Sequence, residues 1–107
     1  MRAVAFSQSV LPSKNGTDAV LQAFHVLNNF DIPKGALREP QKDEHGNIVA
    51  DCTLWTSAND LKAKRFYFRT YENSQIRMVD LTKMNLDAPD ITKVSMQGDE
   101  VIKSLTP

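Results

Sequence analysis

Cys52 is the only thiol in this chain, so nucleophilic chemistry of the cysteine type has one candidate. A thiolate attacks a carbonyl when a neighbouring base takes its proton, or when the cysteine is N-terminal and its own free α-amine does so. The nitrogen of Cys52 lies inside a peptide bond, which closes the second route. The first needs a base, and the histidines present are His25 and His45. His25 falls beside the apolar stripe of a helix and reads as a helix-surface or boundary residue. His45 precedes Gly46, which is ordinary turn material. Cys52 itself falls on an apolar alternation that reads as mid-strand, where a thiol packs as a small hydrophobe. Asn28, Asn29, Asn59 and Asn73 are donors of the type that stabilise an oxyanion, but turn and helix-end roles account for them. Trp55, Tyr67 and Tyr71 have faces on which a ligand can stack, although filling a layer over a sheet is the commoner use. One cysteine allows no intramolecular disulfide and no paired-cysteine metal site. No catalytic, cofactor-binding or metal-binding residue is therefore assigned, and no cofactor is expected.

The charge balance excludes other classes. The 107 residues carry 13 basic and 13 acidic side chains, a formal net charge of zero. That argues against a nucleic-acid or membrane-surface partner held by bulk charge. Lys62, Lys64 and Arg65 are the densest basic group, and they adjoin a turn, which makes them a solvated corner. No apolar run approaches the roughly 20 residues that span a bilayer.

These residues must be positioned by elements that the patterning announces. Val4, Phe6, Val10 and Leu11 fit a short amphipathic helix within residues 1–11, ended by Pro12. Ser13-Lys14-Asn15-Gly16 is turn chemistry, after which Thr17 or Asp18 can cap a second helix. Its stripe is Val20, Ala23, Phe24, Leu27 and Phe30, the strongest helical signal in the chain. Asp31-Ile32-Pro33-Lys34-Gly35 stops it. Residues 31–47, rich in charge and containing Pro40 and Gly46, read as a solvated loop. From Ile48 the period becomes two. Strands are expected over 48–58, 66–71 and 76–81, with turns at Asn59–Lys62 and Glu72–Gln75, forming an antiparallel meander. The phenylalanines mark one face of it, and Trp55, Tyr67 and Tyr71 the other. A sheet apolar on both faces sits between two layers, and two short helices cover only one. Residues 82–90 read as a loop or a single helical turn, 91–96 as a fourth strand, and the polar stretch after Gly98 as frayed.

Trp55-Thr56-Ser57, Thr70-Tyr71-Glu72-Asn73 and Val79-Asp80-Leu81, taken in order, resemble the terminal strands of the choloylglycine hydrolase and penicillin V acylase family. Met1–Phe6 and Ala23–Asn29 resemble two of its helices, and Ile32–Gly35 the exit from the second. The resemblance implies an α+β segment with two N-terminal helices (about 1–30), a loop (31–47) and an antiparallel meander (about 48–97). That is a partial αββα sandwich of the N-terminal-nucleophile type, and residues 1–107 correspond to its C-terminal part. It also implies hydrolysis of linear amide bonds by an N-terminal cysteine, with the catalytic arginine just upstream of residue 1. Arg2 matches a second, non-catalytic arginine. The expectations are a chain inactive on its own and a partner that is either the missing N-terminal part of the same fold or a second copy. Neither nucleic acid nor membrane is expected as a partner, and the family's substrates are small amides. Bile-salt conjugates, phenoxy-acyl penicillins and acyl-homoserine lactones are not distinguished. Two other readings stay open. One is a free-standing α+β interaction domain, and the other is a small hydrolase using Cys52 and His25.

Overall fold

The computed structural model describes residues 1–107. In chain order the elements are α1 (Arg2–Ser9), α2 (Gly16–Leu27) with a 3₁₀ turn at Asn28–Phe30, β1 (Leu37–Lys42), β2 (Ile48–Asp51), β3 (Trp55–Asp60), β4 (Arg65–Thr70) and β5 (Arg77–Asp80), followed by a 3₁₀ turn at Leu81–Lys83. This is an α+β arrangement of two helices followed by antiparallel strands.

The cap of helix α2 lies two residues before the first expected one. Asn15, not Thr17 or Asp18, is the N-cap, and its side-chain oxygen accepts from the Asp18 backbone N–H at 2.8 Å. The Asn15 side-chain amide also donates to the Asp18 carboxylate at 3.3 Å, so one side chain makes both bonds that close the first turn. Gly16 opens the helix because β3 ends beside it: a Cβ there would run into the Asp60 carboxylate. The apolar stripe then buries Val20 and Phe24. Phe30, past the helix end, is exposed.

The meander of β3, β4 and β5 forms as expected. Its first turn comes later than expected, because β3 runs on to Asp60 and the chain reverses over residues 61–64. The Asp60 carboxylate accepts from the Ala63 N–H at 2.9 Å, and Lys64 takes a left-handed φ of 58°. The register fixes the two faces. Ala58 lies opposite Tyr67, which lies opposite Met78. Tyr67 is buried with Val20 and Phe24, and Ala58 and Ile76 pack against them, so this is the helix-covered face. On the other face, Ser57 pairs with Phe68 and Asn59 with Phe66, which in turn pairs with Val79. The Phe66 and Phe68 rings stack with centroids 5.7 Å apart.

The same register corrects the expected partition of aromatics. Trp55 pairs with Thr70, two residues along from Phe68, so it belongs to the phenylalanine face and not with Tyr67. Alternation within a strand sorts its own residues, but only the pairing says which set of one strand shares a face with which set of the next.

Three further expectations change. The strand expected over 48–58 is two strands in two sheets. The Thr53 N–H donates to the Ile32 carbonyl at 3.0 Å, and the Leu54 carbonyl accepts from the Tyr71 N–H at 3.0 Å. Those bonds turn the backbone at residues 52–54. Cys52 is therefore in the joint between the sheets, half-buried, and not mid-strand. The solvated loop over 31–47 contains β1, paired with β2 as a hairpin of its own. Its tip is an Asx-type turn: the Asp43 carboxylate accepts from the N–H groups of His45 at 2.9 Å and Asn47 at 2.8 Å, and Gly46 supplies a φ of 76°. Pro40 sits where the register is irregular, between Arg38 and Lys42, a place where no ladder donor is needed. Residues 91–96 do not form a fourth strand. They run without regular structure across the phenylalanine face.

The interior is small. Five residues are buried, Val20, Phe24, Tyr67, Phe68 and Asn73, too few for the core of a 107-residue domain. The accessible surface is 9286 Å², against about 6,000 Å² for a compact monomer of this mass. The radius of gyration is 17.8 Å, against about 13 Å for a compact domain of this length.

Candidate functional site

Two polar constellations form on this frame, one at each side of the β4 end. The first is a crease between the end of α2, the exit segment and the β4–β5 turn. It is a cavity of about 380 Å³ lined by Asn28, Asp31, Arg69, Thr70, Tyr71 and Ser74. The Arg69 guanidinium donates to the Asn28 side-chain oxygen, and its plane lies over the Phe24 ring, 5.2 Å from the centroid. The Tyr71 hydroxyl accepts from the Lys34 N–H at 3.0 Å, and Thr53 Oγ1 accepts from the Ile32 N–H at 2.8 Å. These bonds fasten the exit of α2 to the sheet. Neither Cys52 nor a histidine lines the crease.

The second constellation surrounds Arg77 on the phenylalanine face. Its carbon centre lies 4.8 Å from the centroid of Phe68. One terminal nitrogen donates to the Met96 carbonyl at 3.2 Å, and the other to Thr70 Oγ1 at 3.3 Å and the Asn73 carbonyl at 3.4 Å. Its Nε is buried without a partner. Asn73 is buried and holds the turn, its side-chain oxygen accepting from the Gln75 N–H at 3.0 Å. Glu100 reaches the same turn, where its carboxylate accepts from the Ser74 N–H at 2.8 Å and from the Ser74 hydroxyl. The Ser74 hydroxyl, its N–H and the nearby Arg77 charge hold the Glu100 carboxyl below its ordinary range.

The candidates from sequence disperse. Cys52 sits in the inter-sheet joint, and His25 is exposed in the last turn of α2, where a basic side chain suits the helix C-terminus. His45 is at the exposed hairpin tip. Asn29 donates to the carbonyls of Val26 at 3.1 Å and His25 at 3.4 Å, a helix-end role, and Asn28 serves Arg69. Asn59 is exposed on β3, and Arg2 is exposed at the start of α1. Of the basic corner, Arg65 pairs with Asp80 at 3.3 Å. No three His, Cys, Asp or Glu side chains gather in metal-binding proximity. No helix is long and apolar enough to cross a membrane. Reading the sequence missed the Arg69 and Arg77 clusters. No local signal marked them, because Arg69 meets Phe24 of α2 and Arg77 meets Phe68 across the β4–β5 pair.

The arrangement of helices and meander matches known proteins. The family model for linear amide C-N hydrolases, choloylglycine hydrolase family, covers residues 1–94. The chain belongs to the choloylglycine hydrolase family. Among curated proteins, the bile salt hydrolase/transferase of Clostridium perfringens is 34% identical over 82% of this chain and 25% of its own length. The bile salt hydrolase/transferase of Lactiplantibacillus plantarum is 27% identical over 92% of this chain and 29% of its own. Crystal structures of variants of the Clostridium perfringens conjugated bile acid hydrolase superpose with a TM-score of 0.68 at 26% identity, over 96% of this chain and 28% of theirs. This choloylglycine hydrolase family chain therefore spans little more than a quarter of the length of the relatives it matches.

Proposed function

We propose that residues 1–107 supply the C-terminal helices and part of the sheets of a linear amide C-N hydrolase of the bile-salt-hydrolase type, and that they contribute no catalytic residue of their own. The observation that carries the proposal is the setting of Cys52. Its α-nitrogen is in a peptide bond, its residue lies in a joint between sheets, and both His25 and His45 are exposed, on a helix end and a hairpin tip. The mechanism implied by the family resemblance needs a cysteine whose own amine is free. On this reading that cysteine comes from the rest of the fold.

The surface supports the same reading. The accessible area of 9286 Å² exceeds that of a compact monomer of equal mass by roughly 3,000 Å². Trp55 is 59% exposed on the phenylalanine face, on the side away from the helices. The partner we propose for this surface is the N-terminal part of the same sandwich, and a second copy takes its place when that part is missing.

The test is direct. Purified chain is assayed with glycine- and taurine-conjugated bile salts and with penicillin V, and no turnover is expected. Turnover lost on Cys52→Ala would overturn the proposal and place a nucleophile at Cys52. Sedimentation and hydrophobic-dye binding test the surface argument. Association or dye uptake is expected, while a monodisperse monomer at high concentration, with a sharp melt and no dye, would favour a free-standing interaction domain.

A further inference from the structure

The phenylalanine face is spanned by the chain's own residues 91–100, and their attachment is unusual. No backbone–backbone hydrogen bond ties residues 91–107 to the sheet. The segment is instead held at two side-chain points. Arg77 donates to the Met96 carbonyl at 3.2 Å, and the Glu100 carboxylate grips Ser74 through both its N–H, at 2.8 Å, and its hydroxyl. Between these points Gly98 passes close over the turn: a Cβ there would meet the Asn73 amide at 3.1 Å and Arg77 at 3.5 Å. Beneath the segment lies an apolar channel of about 430 Å³, with Phe66, Phe68 and Val79 on the sheet side and Val94 and Met96 on the other.

We infer that residues 91–100 are a releasable strap across the phenylalanine face, clasped by Arg77 and Ser74, and that a second apolar layer reaches this face only when the clasp opens. The chemistry of the contacts makes the strap releasable. A paired strand opens only with its cooperative backbone ladder, whereas this segment depends on one guanidinium and one carboxylate, both solvent-accessible in part. The strap also leaves its face unfilled, since Ile91 and Val94 are 89% and 57% exposed and the channel stays open below. A well-packed layer would bury more apolar surface there than the strap does. The inference rests on the proposed function only for the identity of that layer, and the test below needs neither turnover nor a partner.

The chain carries its own controls. Lys93 lies inside the strap and Lys103 beyond the clasp, and both side chains are exposed. Limited trypsinolysis of the wild-type chain is expected to cut after Lys103 about tenfold faster than after Lys93, because a protease needs a locally freed segment. In Ser74→Ala/Glu100→Gln, which alters exposed positions, the two rates are expected to converge. Peroxide oxidation gives a second readout: half-buried Met96 is expected to react more slowly than fully exposed Met1 in the wild type, and as fast in the double variant. Equal cleavage at Lys93 and Lys103 in the wild type overturns the inference, as does a ratio unchanged in the double variant. Should the double variant unfold, seen as new cleavage after Arg69 and Arg77 within the sheet, the two wild-type ratios decide alone.

Discussion

Replacing Phe24 by alanine is expected to detach α2 from the sheet. Phe24 is 2% exposed and shares its cluster with Val20 and Tyr67, with Ala58 and Ile76 packed against them. Truncating a buried phenylalanine costs about 3–5 kcal/mol. The lower end applies to the ring itself, because so thin a core can collapse around the gap. Arg69 then loses the ring beneath its guanidinium, which adds roughly 0.5–1 kcal/mol. The total is about 4 kcal/mol. Small domains have a net stability of only about 5–15 kcal/mol, and a chain with five buried residues sits at or below the floor of that range. A 12-residue helix without tertiary support is marginal in water. Far-UV circular dichroism during urea titration should therefore show loss of helical signal in Phe24→Ala before any denaturant is added. Phe24→Leu keeps most of the volume and loses the cation–π contact, for about 1–1.5 kcal/mol. Leu21→Ala, on the exposed side of the same helix, should stay within about 0.5 kcal/mol of wild type. The reasoning is refuted if Phe24→Ala and Leu21→Ala unfold alike.

Two other outcomes follow from local contacts. Asn15→Ala removes the cap on the Asp18 N–H and should cost about 1 kcal/mol, visible as a lower urea midpoint, with Asn15→Ser restoring most of it. Asp80 is held below its ordinary value of 3.8 chiefly by the Thr82 hydroxyl, with the Thr82 N–H and Arg65 adding to it. A depressed carboxyl contributes stability that is fully present above its unfolded value and is lost as pH falls through the folded one. The Tm difference between wild type and Asp80→Asn should hold steady above about pH 5 and shrink below about pH 4. A difference that persists unchanged to strong acid would remove Asp80 from the account.

Local signals in the chain were sufficient for α1, α2 and the second and third meander strands, while the first was read as one strand with β2. Val20, Ala23, Phe24 and Leu27 recur at helical spacing, and the residues around Phe66 and Phe68 alternate, so period alone separates the two element types. The hairpin of β1 and β2 was not legible. Leu37–Lys42 carries charge and Pro40 and is exposed throughout, so it has no apolar face to display a period. Its pairing comes from the Asp43 turn, whose bonds reach ahead to His45 and Asn47. The strand expected over 91–96 had an alternation but found no partner edge, and it became the strap.

The candidate site divides in the same way. That Cys52 lacks a free amine is a fact of covalent structure, and the sequence settles it without coordinates. The family, too, could be recognised from short motifs kept in order. Where Cys52 sits was another matter. It lies in a joint because the Leu54 carbonyl bonds to Tyr71 and the Thr53 N–H to Ile32, partners 17 and 21 positions away. Trp55 joined the phenylalanine face through a register that no single strand encodes, and Arg69 and Arg77 found Phe24 and Phe68 through packing. Sequence determines what each residue can do and the period of its own element. Tertiary structure decides which elements meet, because cross-strand register and long-range hydrogen bonds depend on residues far along the chain.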